Sequence, residues 1–268
     1  MTTEAEDFLK RYHARFPGCS STVFGGRDSS YERLVGAVET TPASRLLDIA
    51  CGDGFLIECF LQAWPDVEPI GIDMSFEELE SGRQRLGDRA VLVEGRAQAL
   101  PFEDANFDVV VSHMAMMLIK PLEPVLDEIR RVLRPGGQLV VVTGRRGAQS
   151  TPALDAYREV IGPWYRAEKP APFGLVEPRA TSEEGWRGLL GEGFESVQVQ
   201  AFDQQKTASV EKIVEHFLLM YDPFVLSQEA QAAIPAALRE ALTDLADDGG
   251  QLSVSTPMLL VTARNASP

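Results

Sequence analysis

The segment Leu46-Leu47-Asp48-Ile49-Ala50-Cys51-Gly52-Asp53-Gly54 constrains this chain more than any other. A short apolar run stops at two glycines, and Phe55 to Trp64 follows as a nearly all-round apolar helix closed by Pro65. A strand that turns this tightly into a helix, with both elements apolar on every side, belongs in a parallel sheet covered on two faces. Glycines at the turn let the backbone approach a ligand closely and free the helix N-terminus to bind negative charge. Taken alone, the segment also reads as a tight turn with no ligand.

The same alternation continues. Strands are expected at Pro69–Asp73, Val91–Val93, Phe107–Val111, Leu139–Val142, Ser196–Phe202 and within Met258–Ala263. Ser29 with Glu32, Ser75 with Glu78 and Thr181 with Glu184 each have the spacing of a capping box, and Gly87 stands where a helix C-terminal glycine is expected. Helices are also expected over Leu122–Leu133, which ends at Pro135-Gly136-Gly137, and at about 208–220 and 227–246. Residues 144–180, with scattered prolines, glycines and aromatics, read as a surface excursion. The fold class is therefore α/β, a doubly wound, mostly parallel, seven-stranded sheet with helical lid segments. Its stretches are an N-terminal helical lid (1–40), a ligand-binding core (41–145) and the rest of the sheet with covering insertions (146–268), in a single domain.

In such a sheet ligands sit beyond the carboxyl ends of the strands, where strand order reverses. The glycine turn lies there, and the second strand ends in Asp73, 19 residues after Gly54. A carboxylate at that point can accept both hydroxyl hydrogens of an adenosine ribose. A nicotinamide fingerprint needs a third glycine, and this chain has Ile57 in its place.

The segments LLDIACGDG (46–54), GIDMS (71–75), EGRAQALPFEDANFDVVVS (94–112) and RVLRPGGQLVVV (131–142) come in an order and spacing that resemble the class I S-adenosylmethionine-dependent methyltransferases. The small-molecule, ubiquinone-type branch is the most similar. The resemblance implies that Asp48, Ala50, Gly52 and Gly54 line the methionine end of S-adenosylmethionine, Asp73 holds the ribose and Met74 packs on adenine. It places Ala97 at the adenine edge and Ser112 at the end of strand four, also beside the cofactor. Two positions depart from the family: Ala50 replaces a usual glycine, and Arg96 replaces an aspartate that often receives the adenine amino group. An arginine cannot accept that bond, so Gln98 or a backbone carbonyl must do so, or Arg96 points away.

His113, directly after strand four, is the candidate base if the acceptor must lose a proton; packing beside the cofactor pocket is the alternative. His13 reads as a surface or lid residue and His216 as a boundary residue. The family's lid segments supply the acceptor pocket. Its candidates here are Tyr12, Phe16, Phe24 and Tyr31, then Trp164, Tyr165, Phe173, Phe217, Tyr221 and Phe224, with core packing the alternative for each. As a group they suggest an apolar, aromatic or polyketide-like acceptor.

The balance of 25 basic against 40 acidic side chains gives a net charge of −15, which repels a phosphate backbone and disfavours nucleic acid as partner. Three cysteines without a C-x-x-C pair support neither a disulfide framework nor a zinc site, and no cluster of Asp, Glu and His has metal-ligand spacing, so no metal is expected. The absence of a signal-peptide core or a long apolar run suggests a cytoplasmic protein without a membrane span. The expectation is methyl transfer to a small molecule, in specialised metabolism, by in-line displacement. The leading alternative is a cyclase or pericyclase that binds S-adenosylmethionine without consuming its methyl group. A non-catalytic partner subunit is disfavoured by the intact Gly52, Gly54 and Asp73, and a homodimer stays open.

Overall fold

The computed structural model describes residues 3–39, 44–147, 151–170 and 176–266. Phe173 and residues 40–42 lie outside them. The chain forms two compact units. The first holds 1–146, 174–202 and 257–268, and the second holds 147–173 and 203–256. The stretch read from sequence as 146–268 is thus shared between them.

The strands are β1 (Arg45–Ile49), β2 (Glu68–Asp73), β3 (Val91–Glu94), β4 (Phe107–His113), β5 (Leu133–Gly144), β6 (Phe194–Ser209) and β7 (Gln251–Asn265). They form one sheet in the order β3-β2-β1-β4-β5-β7-β6. Pairs β1·β2, β1·β4, β2·β3 and β4·β5 are parallel, and β7 runs antiparallel to β5. The seven-stranded, Rossmann-like α/β sheet expected from sequence is what the chain builds.

In the first unit, α1 (Thr3–Arg15), α2 (Cys19–Phe24) and α3 (Ser30–Gly36) precede β1, and α4 (Phe55–Ala63), α5 (Phe76–Leu86) and α6 (Glu123–Val132) alternate with the strands. The second unit contributes α7 (Pro152–Glu168), the first unit α8 (Glu183–Leu189), and the second unit again α9 (Val210–Leu218), α10 (Tyr221–Phe224) and α11 (Gln228–Thr243).

Strand alternation divides the first unit's core cleanly. Leu47, Ile49, Val110, Leu139, Val141, Leu259 and Val261 pack on one face with Val125, Leu126 and Ile129 of α6 and Trp186 of α8. Their neighbours Leu46, Val109, Val111, Val140, Val142, Met258 and Leu260 pack on the other, with Leu34 and Val35 of α3 and Leu56 and Phe60 of α4. Period-two side chains with two buried faces are what a doubly covered sheet requires.

Several local expectations change. Ser29 caps α3 as expected, accepting from Glu32 N at 3.2 Å. The cap near 181 is Ser182, which accepts from Gly185 N at 3.1 Å, whereas the Thr181 hydroxyl donates to Pro178 O. The surface excursion expected at 144–180 contains the 17-residue α7. Thr151 caps it, Pro152 occupies its first turn where no amide partner is needed, and Ala153, Tyr157 and Ile161 form its buried stripe. Proline punctuation obscured that stripe, because Pro163 sits inside the helix.

In the second unit, Tyr157 stacks on Phe217 with centroids 4.7 Å apart, and Ile213, Ile234, Leu238, Leu252 and Val254 complete a separate core. Among the described residues, no helix is long and apolar enough to cross a membrane.

Candidate active site

Strand order reverses between β1, whose other neighbour is β2, and β4, which continues to β5. The glycine turn leaves β1 at this point. Ala50, Gly52 and Gly54 have φ of 57°, 52° and 72°, so the turn takes three left-handed steps in five residues. Two fall on glycine, and Ala50 carries the strain of a Cβ in that region. A Cβ on Gly54 would lie 2.6 Å from Leu86 Cδ1, so a side chain there would have to displace the end of that leucine.

Asp73 at the end of β2 holds this turn. One carboxylate oxygen accepts from Gly52 N at 2.9 Å and the other from Ser75 N at 2.9 Å. Burial raises its pKa, opposed by these backbone hydrogen bonds. Asp48 is buried, and among the described residues neither carboxylate oxygen has a hydrogen-bond partner. Burial, then the charges of Asp73 and Asp53, push its pKa well up. Met74 and Ala97 are half-buried near these strand ends.

Ser112 is fully enclosed and donates to Ile49 O at 2.9 Å, tying β4 to β1. His113 closes β4. Its Nε2 lies 2.8 Å from Ser30 Oγ, its ring stacks on Tyr31 at 3.7 Å, and Phe24 approaches at 5.9 Å. Nδ1 is buried with no partner among the described residues, and burial pushes the imidazole down to about 3.

Arg96, placed by resemblance at the adenine edge, forms a two-pronged ion pair with Glu6 of α1, one prong at 2.9 Å. It therefore points neither into an adenine contact nor simply to solvent. The family's aspartate position has become an anchor for the N-terminal helix. Gln98 is half-buried beside it.

The other acceptor-pocket candidates separate. Tyr12 is fully buried against Phe16, 5.3 Å away, and Phe8. Phe24 and Tyr31 meet His113, as above. Trp164 and Tyr165 pack on the second unit's core, where the Tyr165 hydroxyl donates to Asp222 Oδ1 at 2.9 Å.

Sequence reasoning missed Glu78. The capping-box spacing explained it locally, and Glu78 N does donate to Ser75 Oγ at 3.4 Å. Its buried carboxylate instead turns to the N-terminal segment, accepting from Gly18 N at 2.9 Å and meeting His13 Nδ1 at 2.7 Å. Burial opposes the His13 charge, but hydrogen bonds with Cys19 and Glu78 outweigh it and push the imidazole up to about 10. Linear spacing offered no metal-ligand set, yet His13, Cys19 and Glu78 come together in space. Nearby, Asp53 accepts from Ser21 Oγ at 2.8 Å and pairs with Arg85 at 2.6 Å.

Four acidic side chains, Asp48, Asp53, Asp73 and Glu78, thus lie in or beside the turn, and Asp53, Asp73 and Glu78 hydrogen-bond to it or to the segment beside it. The unpartnered Asp48 and the left-handed turn fit a ligand that carries positive charge and lies against the backbone. S-adenosylmethionine has a sulfonium and an ammonium group and meets both requirements.

Residues 47–141 match a family model described as "Methyltransferase domain". Two curated relatives are named demethylmenaquinone methyltransferase. That of Symbiobacterium thermophilum is 37% identical over 41% of this chain, an alignment spanning only 46% of the relative. That of Clavibacter sepedonicus is 29% identical over 72% of this chain and 80% of the relative. Among solved structures, phosphoethanolamine N-methyltransferase 2 of Haemonchus contortus, in complex with phosphomonomethylethanolamine and S-adenosylhomocysteine, superposes with a TM-score of 0.63. It is 17% identical, over 98% of this chain and 60% of that one, and so speaks to the fold. With the motif order, the strand order and the turn geometry in agreement, residues 47–141 carry a methyltransferase domain of the S-adenosylmethionine-dependent type, and the chain is similar to small-molecule methyltransferases.

Proposed function

We propose that this chain transfers the methyl group of S-adenosylmethionine to a small, apolar, aromatic or polyketide-like acceptor in specialised metabolism. The observation that carries the reading is the convergence of Asp48, the Ala50–Gly54 turn and Asp73 at the switch point, within the matched residues 47–141. The relatives' names point to a quinone-type acceptor, which has the same aromatic and apolar character.

When bound, the cofactor supplies an already activated sulfonium methyl group. The protein then has to align the acceptor and exclude water. Asp73, fixed by Gly52 and Ser75, keeps lone pairs for the ribose hydroxyls. Asp48 would receive positive charge at the methionine end, which offsets the cost of its own burial. Met74 and Ala97 would flank the adenine, with its amino group left to Gln98 or a carbonyl because Arg96 is held by Glu6.

Burial keeps His113 neutral but lowers its pKa to about 3, so it serves as a base only where a bound acceptor raises its basicity. Ser30 and Tyr31 fix its ring, and Nδ1 would be the nitrogen to act if the methylated atom, oxygen, nitrogen or carbon, has a proton to lose; packing beside the cofactor pocket is the alternative. His113→Ala should slow turnover more than it weakens cofactor binding. An unchanged turnover rate would reduce His113 to packing. The net charge of −15 disfavours nucleic acid as acceptor, a cytoplasmic setting goes with this reading, and homodimerisation is open to sedimentation analysis.

The test is incubation with S-adenosylmethionine carrying a deuterated methyl group and a metabolite extract, followed by mass spectrometry. A product heavier by one labelled methyl group is expected. Cofactor binding with an altered but unlabelled metabolite would replace the reading with a cyclase that uses the sulfonium only for its charge.

A further inference from the structure

The geometry points to a soft divalent-cation site, of the zinc class, formed by His13, Cys19 and Glu78 beside the cofactor turn. One ligand atom from each residue lies within 4.8 Å of the other two. His13 Nδ1 is 2.7 Å from Glu78 Oε1 and 3.9 Å from Cys19 Sγ. A tetrahedral zinc ion with its usual bond lengths sets neighbouring ligand atoms roughly 3.3–3.6 Å apart. The nitrogen–oxygen edge must open by roughly 0.6 Å and the nitrogen–sulfur edge must close by roughly 0.3 Å to admit it.

Two further observations favour a site over a bare ion pair. An ion pair between His13 and Glu78 needs no sulfur, yet Cys19 is buried against the same imidazole nitrogen. Gly18 N donates to Glu78 Oε2 at 2.9 Å, which fixes the carboxylate and leaves Oε1 facing the other two ligands. This is the outer-shell bond that ligating carboxylates characteristically receive. Gly18 itself takes φ of 71°, and a Cβ there would fall 2.8 Å from Asp53 Oδ2, so the loop that joins His13 to Cys19 depends on a glycine.

A nitrogen, sulfur and oxygen set selects zinc-class ions over magnesium or calcium, and water completes the fourth position. Coordination would clamp the end of α1 and the start of α2 to α5, which begins three residues after Asp73.

The test is a titration of tag-free, chelator-treated, full-length protein with Co²⁺, in a non-thiol reductant. One equivalent is expected to saturate a thiolate-to-cobalt charge-transfer band in the near ultraviolet, and Zn²⁺ to displace the cobalt. Cys19→Ser should abolish the band and weaken Zn²⁺ binding at least tenfold, while Cys59→Ser changes neither. His13→Gln, which keeps the thiol, should weaken Zn²⁺ binding to a similar degree, with circular dichroism confirming that each variant is folded. No saturable binding by the wild-type protein, or a band that survives Cys19→Ser, overturns the site. Neither result depends on methyl transfer.

Discussion

Gly54 shows how narrow the tolerances are at single residues in this site. Its φ of 72° strains any side chain, and a Cβ would meet Leu86 at 2.6 Å. Gly54→Ala should therefore cost about 1–2 kcal/mol, chiefly left-handed strain, measurable by urea unfolding. A loss under about 0.5 kcal/mol would mean that the turn relaxes freely. His113 gives a pH signature of the opposite kind. Its folded pKa of about 3 lies below the ordinary 6.5. The unfolded chain therefore binds the proton first, and the stability linked to this group is complete above 6.5 and declines as pH falls towards 3. The slope for one group is about 1.4 kcal/mol per pH unit. His113→Gln should flatten this part of the acid limb in denaturant titrations between about pH 6 and 4. An equally steep limb in the variant would locate the titration elsewhere. The placement of Asp73 and the glycines was legible in the sequence because it follows from position at the end of a strand. The Ser30–His113 contact was not, since its partners are 83 residues apart and nothing local links them. Glu78 was hidden for another reason: a cap sufficed to explain it.

The elements before β1 are fastened to the site by side chains from three directions. Glu6 pairs with Arg96, His13 with Glu78, and Ser21 with Asp53. Glu6 is buried, whereas the Arg96 side chain is half exposed. Solvent weakens that pair, and Arg96→Ala should cost only about 1 kcal/mol of global stability. It should, however, speed proteolytic cleavage within residues 3–24, because the start of α1 loses its anchor to the loop after β3. Cleavage at the wild-type rate would show that α1 is held by packing alone. Helix positions in this region followed from capping signals such as Ser29. The pairing partners did not, because Arg96 departs from the family and one sequence cannot show that Glu6 compensates. For α7 the failure was different, since Pro163 inside the helix masked the Ala153, Tyr157 and Ile161 stripe.

At the scale of the whole molecule, the sheet was the most legible feature. Runs such as Val109-Val110-Val111 and Leu139-Val140-Val141-Val142 put successive side chains into two different cores, and only a doubly covered sheet uses such runs. The division into two units was not legible, because both draw on β6 and β7 and the chain passes between the units several times. We propose that the cofactor lies at the β1/β4 switch point with its ribose on Asp73. Calorimetric titration of the wild-type chain and Asp73→Ala with S-adenosylhomocysteine tests it most directly. One site per wild-type chain is expected, with an affinity at least tenfold weaker in the variant, the loss expected for charge-assisted hydrogen bonds. Equal affinity in a folded Asp73→Ala protein, or no binding by the wild type, would contradict it.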